Sequence, residues 1–232
     1  MRRGVYRTLA WTGVRNNRKL YVPYLLTCAG MVMMCYIVSF LAGNPTIGEM
    51  RGGETIQSIL GLGFGVLAVF SVIFLFYTHS FLIRRRKKEF GLYNILGLGK
   101  RHLALVLLLE TAAIAAVTLC GGLALGILFS KLAELVLVKL MEGAPTALFE
   151  VGLESAVQTA LLFALIHALI YGNALRQIRL ANPIALLGSE HAGERPPKAN
   201  WLPALLGAAI LGTAYYLAVS IRDPMTAIVV FF

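Results

Sequence analysis

Acid is what this chain has least of. Its 232 residues hold 21 Lys and Arg against 11 Asp and Glu, and Asp223 is the sole aspartate. Paired intramembrane aspartates are therefore excluded, and neither H-E-x-x-H nor G-x-S-x-G occurs, so a hydrolase reading has no residues to stand on. Charge of either sign is scarce: 14% of residues, where soluble domains run to about a quarter. Cysteine is scarce too. Cys28, Cys35 and Cys120 sit inside apolar runs, with no C-x-x-C and no His/Cys cluster. That excludes a disulfide framework and a zinc site, and leaves three small apolar side chains.

What is present is hydrocarbon. Hydrophobic residues make up 58% of the chain and the mean hydropathy is +0.76. They are gathered into runs long enough to cross a bilayer as helices. The runs cover about 21–42, 56–83, 103–128, 151–175 and 201–221, and the third continues as an amphipathic stretch to about 140. A sixth begins at Thr226, and the chain stops within it at Phe232. The expected fold is an all-α integral membrane protein, a helical bundle of five complete transmembrane helices plus the start of a sixth. The sequence reads as an N-terminal piece of a longer protein. The first run is too long for a signal peptide and lacks an A-x-A-like site, so it reads as a retained span.

The net charge of +10 falls in loops. The N-terminal segment carries Arg2, Arg3, Arg7, Arg15, Arg18 and Lys19 without an acid. The loop between the second and third runs carries Arg84, Arg85, Arg86, Lys87, Lys88, Lys100 and Arg101 against Glu89. The loop between the fourth and fifth carries Arg176, Arg179, Arg195 and Lys198. Alternate loops are poor in base, so the positive-inside rule predicts a cytoplasmic N-terminus. With no basic-aromatic soluble module, the charge points to membrane topology and anionic lipid rather than nucleic acid.

Four segments follow. Residues 1–55 are a basic cytoplasmic tail, one span and a short outside loop. Residues 56–188 are a three-helix unit bracketed by charge. Residues 189–200, "SEHAGERPPKAN", are a cytoplasmic linker. Residues 201–232 begin a further transmembrane hairpin.

The stretch "GLGK", 97–100, imitates the end of a phosphate loop. The pattern requires glycine five residues before Gly99, where Asn94 stands, and Ser or Thr after Lys100, where Arg101 stands. The chain thus has no nucleotide-binding motif. Gly61 with Gly65, and Gly122 with Gly126, have the G-x-x-x-G spacing that lets helices approach closely in lipid. Two polar residues lie inside runs and are costly there: Glu110, which pairing with a nearby Arg or Lys would satisfy, and His167, which has no second ligand at metal spacing and reads as a hydrogen-bonded structural histidine. His79 is expected at the interface.

On a helix over 84–99, Leu92, Ile95 and Leu96 fall on one side, and Phe90, Tyr93 and Gly97 on the other with Asn94. Two apolar faces suit a helix lying on the span bundle with one face and on a partner with the other, Phe90 and Tyr93 being taken as the partner side. The alternative is a positive-inside anchor and nothing more.

The stretch "FLIRRRKKEFGLYNILGLGKRHLALVLLLET" resembles the central motif of FtsX-like ABC transporter permeases: a span ending in a basic run, then Glu89-Phe90-Gly91, the Leu96-Gly97 turn, Lys100-Arg101, and a span with an early Glu, here Glu110. "ALRQIRLANPIALLG", 174–188, resembles the end of that family's domain. A basic tail, one span, this unit, a linker and further spans is the order of its bacitracin-resistance (BceB-type) branch. The resemblance implies a permease subunit of the bacterial plasma membrane, not itself an enzyme and without cofactor. A separate ABC ATPase, in two copies, would supply ATP hydrolysis. It implies a coupling helix at 84–99 that docks the ATPase through Arg86, Lys88, Glu89, Phe90, Gly91, Tyr93, Asn94 and Gly97, and export or removal of antimicrobial peptides or lipid-linked cell-wall precursors. A sensor histidine kinase is a possible further partner. Two other readings stay open: a non-transporting mechanical transmitter that regulates a cell-wall hydrolase or sensor kinase, and a stand-alone channel or secondary carrier.

Overall fold

The computed structural model describes residues 3–95, 97–141, 143, 151–180 and 201–220. Two compact units divide the chain, Met1–Ser189 and Glu190–Phe232. The described part of the first is helical: α1 (Arg3–Asn16), α2 (Arg18–Ala42), α3 (Pro45–Gly48), α4 (Gly53–Arg85), α5 (Lys87–Ile95), α6 (Lys100–Leu140) and α7 (Leu153–Leu180). Among the described residues, four helices are long and apolar enough to cross a membrane: α2, α4, α6 and α7. The second unit contributes α8 (Trp201–Ser220), within which Leu205–Tyr216 forms a shorter apolar stretch. The sixth run, the 189–200 linker and the motif residues 181–188 lie outside the described residues.

α2 is the centre of the bundle. Its buried residues Tyr21, Tyr24, Cys28, Val32 and Cys35 recur every three or four positions and so share one side. They form one core with Leu75 and Leu82 of α4, Ile114 of α6, and Phe163, Ile166 and Ile170 of α7. Cys120 of α6, by contrast, is exposed, so only two of the three cysteines are core residues. α6 is one continuous helix of 41 residues, about 60 Å long at 1.5 Å per residue. That is about twice the hydrocarbon thickness of a bilayer, so the stretch to Leu140 prolongs the span and is not a separate element.

The two G-x-x-x-G pairs behave differently. A Cβ on Gly122 would stand 2.6 Å from Cβ of Val32 and 2.7 Å from the carbonyl oxygen of Ala29. One on Gly126 would stand 2.9 Å from the Tyr36 ring. α2 and α6 are thus clasped backbone to backbone, as small residues permit in lipid. Gly61 and Gly65 have nothing within 4 Å of that position, and make no such contact. Gly122→Ala should therefore destabilise the bundle by about 1–3 kcal/mol through overpacking. Gly61→Ala should be neutral or gain about 0.5–1 kcal/mol from helix propensity. Thermal unfolding of the two purified variants in detergent checks the contrast.

The N-terminal segment, expected as a tail, folds into α1. Ala10 and Gly13 are buried, Tyr6 stacks on His102 at the start of α6 (centroids 5.7 Å apart, planes at 14°), and Trp11 remains exposed. Its apolar positions are too few and too widely spaced to read as a helix, and the packing that forms it comes from α6.

Candidate functional site: the α4–α5–α6 turn

The expected coupling helix over 84–99 is shorter. α4 runs through Arg85, and the backbone leaves the helix at Arg86 (φ −96°, ψ 5°). α5 then occupies Lys87–Ile95. At its far end Gly97 takes φ +89°, which an L side chain rarely adopts, and the N–H of Leu98 donates to the carbonyl of Tyr93 at 2.9 Å. Gly99, extended, then starts α6. The glycines that imitate a phosphate loop are turn residues.

The Arg86 side chain turns inward and is 1% exposed. A buried guanidinium needs acceptors for its donors, and α2, α5 and α6 supply them to Nε and Nη1. Nε donates to Oε2 of Glu89 on α5 at 2.9 Å. Nη1 donates to the Tyr21 hydroxyl of α2 and to Oε1 of Glu110 of α6. The Tyr21 hydroxyl itself donates to Oε1 of Glu110. The guanidinium carbon also lies 5.5 Å from the Tyr21 ring centroid and 5.1 Å from that of Phe90, a cation–π arrangement. Asn17, between α1 and α2, donates to Oε1 of Glu89 at 2.7 Å and to the Gly13 carbonyl at 3.0 Å. A Cβ on Gly13 would stand 2.5 Å from Nη2 of Arg86, so a side chain there would push the guanidinium aside.

Beside this cluster Phe90, 2% exposed, fills a pocket formed by Ile83, Leu103, Leu107 and Ala174, with Tyr93 and Tyr171 at its edge. Gly91 is buried as well. Leu92 and Ile95 are exposed by 52% and 62%, and Gly97 is exposed beyond them. On the sequence alone, the Phe90–Tyr93 side is the one expected to face a partner. The structure reverses the faces: that side is the anchor and the Leu92–Ile95 side is open. The reason is volume, since the Phe90 ring closes the bundle end while the thinner aliphatic ridge remains outside. Arg84 and Arg85 are exposed, Arg85 lying 5.0 Å over the Phe81 ring, and Arg101 is exposed across the turn. Lys88 and Asn94 belong to α5, with side chains outside the described set, as Leu96 is altogether.

Glu110 finds its basic partner in Arg86. Tyr21, Asn17 and Gly13 were not singled out by sequence reasoning, and no local signal marks them, because they lie 65 or more positions away from Arg86 and Glu89. His167 is buried in α7 with Nδ1 2.8 Å from the Phe163 carbonyl of its own helix. His79, expected at the interface, is buried, its ring centroid 5.8 Å from that of Tyr24. Among the described residues no group of three or more His, Cys, Asp or Glu could hold a metal ion. The arrangement provides a surface helix seated by Phe90 and Arg86.

The profile of the family described as FtsX-like permease C-terminal matches residues 61–183, which spans α5 and its seat. Among individual proteins, the chain is 27% identical over 215 residues to the uncharacterized ABC transporter permease YvcS of Bacillus subtilis, covering 91% of this chain and 33% of that protein. It is 27% identical over 157 residues to the bacitracin export permease protein BceB of Halalkalibacterium halodurans, covering 68% and 24%. Against BceB of Bacillus subtilis it is 24% identical over 209 residues, covering 88% and 32%. The chain spans a quarter to a third of the length of these relatives. With the matched segment taking in more than half of its residues, the chain belongs to the FtsX-like permease family, whose relatives here are membrane components of ABC transporters.

Proposed function

We propose that this chain is part of the membrane-spanning permease subunit of an ABC transporter, and that α5 docks a separate ATPase. One observation carries the reading: α5 is a short helix between two spans, seated by Phe90 and Arg86, and it leaves Leu92 and Ile95 open. Exposed aliphatic side chains in a turn whose Arg84, Arg85 and Arg101 are also exposed are what a partner surface of apolar centre and polar rim would cover. Of the docking set that the resemblance implies, Gly97 stays on the contact surface, beside Leu92 and Ile95, which that set does not include. Arg86, Glu89, Phe90 and Gly91 hold the surface in place, Tyr93 lies at the edge between them, and the side chains of Lys88 and Asn94 fall outside the described set.

In this reading the N-terminus, α1 and α5 are cytoplasmic, α8 is a fifth span, and the membrane is the bacterial plasma membrane. The relatives named as bacitracin export permeases support a substrate class of peptide antibiotics or the lipid-linked cell-wall precursors on which they act.

The test is capture. The tagged chain is co-expressed with the ABC ATPase encoded nearest to it and purified from membranes in mild detergent. The expected result is a stable complex that hydrolyses ATP. Purification of the chain without the ATPase would contradict the proposal.

A further inference from the structure

We infer that the buried Arg86 side chain is the joint that delivers movement of α5 to α2 and α6 rather than to α4. This rests on α5 being the docking helix.

Covalent connectivity argues the other way, because α5 follows α4 after a single residue. That residue is non-helical, however, and the backbone there can bend. The side-chain bonds lead elsewhere. From one guanidinium, Nη1 reaches Tyr21 of α2 and Glu110 of α6, while Nε holds Glu89 of α5. Tyr21 and Glu110 also bond each other. A charge-assisted network centred on a buried guanidinium is stiff, since breaking one of its bonds costs a buried polar group a partner; Glu89, 36% exposed, is its solvent-facing end.

The two helices it reaches already form one body. Gly122 and Gly126 bring α6 into backbone-level contact with α2, and close-packed elements move together rather than deform. α4 makes no such backbone-level contact through its own pair, Gly61 and Gly65. A push on α5 thus reaches α2 and α6 directly through this network, and α4, which shares an apolar core with α2, only through the bend and apolar contacts. At Arg86 the backbone is the hinge and the side chain the strut. Arg86 is in these terms a positioning residue, not part of the docking surface.

The experiment uses the full chain in complex with its ATPase, in a Cys120→Ser background. Spin labels are placed on exposed positions of three helices away from the docking surface: Leu26 on α2, Tyr77 on α4 and Leu105 on α6. In the native sequence, a non-hydrolysable ATP analogue is expected to change the Leu26–Tyr77 distance and to leave Leu26–Leu105 fixed. Arg86→Met is expected still to capture the ATPase, since Phe90 keeps α5 seated, and to lose the Leu26–Tyr77 change. Arg86→Lys, which keeps the charge but has fewer donors, is expected to restore part of that change.

An Arg86→Met protein that retains the native Leu26–Tyr77 change overturns the inference. So does one that folds but no longer captures the ATPase, because Arg86 would then act at the docking surface. Should Arg86→Met not fold, the Tyr21→Phe and Glu110→Gln pair decides by the same distances. If the native chain captures no ATPase, the proposed function falls and this inference with it. Native capture with an unaltered Arg86→Met response overturns the inference alone.

Discussion

Glu110→Ala is expected to lower the stability of the folded chain by about 3–5 kcal/mol, the usual cost of removing one partner from a buried ion pair. The loss is not that of a single favourable contact. Arg86 and Glu110 are 1% and 3% exposed, so the substitution leaves the buried guanidinium with the partly exposed Glu89 as its remaining carboxylate and the Tyr21 hydroxyl without its acceptor. Arginine does not lose its proton at accessible pH, so the charge cannot neutralise itself. Arg86→Met should cost less, because Glu110 can then be protonated in place. The two substitutions combined should be milder than their sum by at least about 1 kcal/mol, as expected for directly interacting residues. Thermal unfolding in detergent of the native protein, both single variants and the double variant closes the cycle. A Glu110→Ala protein that melts with the native protein would show that the pair does not hold this end of the bundle together.

The second large effect is at Phe90. Its ring is enclosed by residues of α4, α6 and α7, and Phe90→Ala should cost about 3–5 kcal/mol for lost burial plus the cavity left behind. Leu92→Asp with Ile95→Asp, two and five residues further on, should leave the melting temperature within the spread of ordinary surface substitutions, about 0.5 kcal/mol each. The same nine-residue helix thus separates into positions that hold it and positions that face outward. Stability measurements on these variants check the division independently of any partner.

Much of this protein is legible in its sequence, and unevenly so. The first four apolar runs give α2, α4 and α7 to within a few residues, and α6 once its amphipathic continuation to about 140 is counted, since twenty or more consecutive apolar residues have one economical solution in lipid. The turn after α5 is legible in Gly97 and Gly99. The need of Glu110 for a basic partner is legible because an intramembrane carboxylate is costly alone. Which base answers it is not, because Arg84, Arg85, Arg86, Lys87 and Lys88 are equivalent as sequence and only the bend after α4 points Arg86 inward. The share of Tyr21 in the cluster is invisible for the same reason: it depends on α2 and α6 being in register, which Gly122 and Gly126 determine from more than ten residues away. The orientation of α5 was ambiguous in principle. Both of its sides are apolar, and which one is buried depends on the pocket that Ile83, Leu103, Leu107 and Ala174 present, four residues from three helices.

The central claim is that the Leu92–Ile95 side of α5 receives an ATPase, and capture of the co-expressed ATPase by the Leu92→Asp, Ile95→Asp variant tests it most directly. Central interface residues each contribute about 2 kcal/mol or more, so the variant should capture the ATPase at least about tenfold less well than the native chain, with an unchanged melting temperature. Capture at the native level by a variant carrying two carboxylates on that ridge would contradict the account.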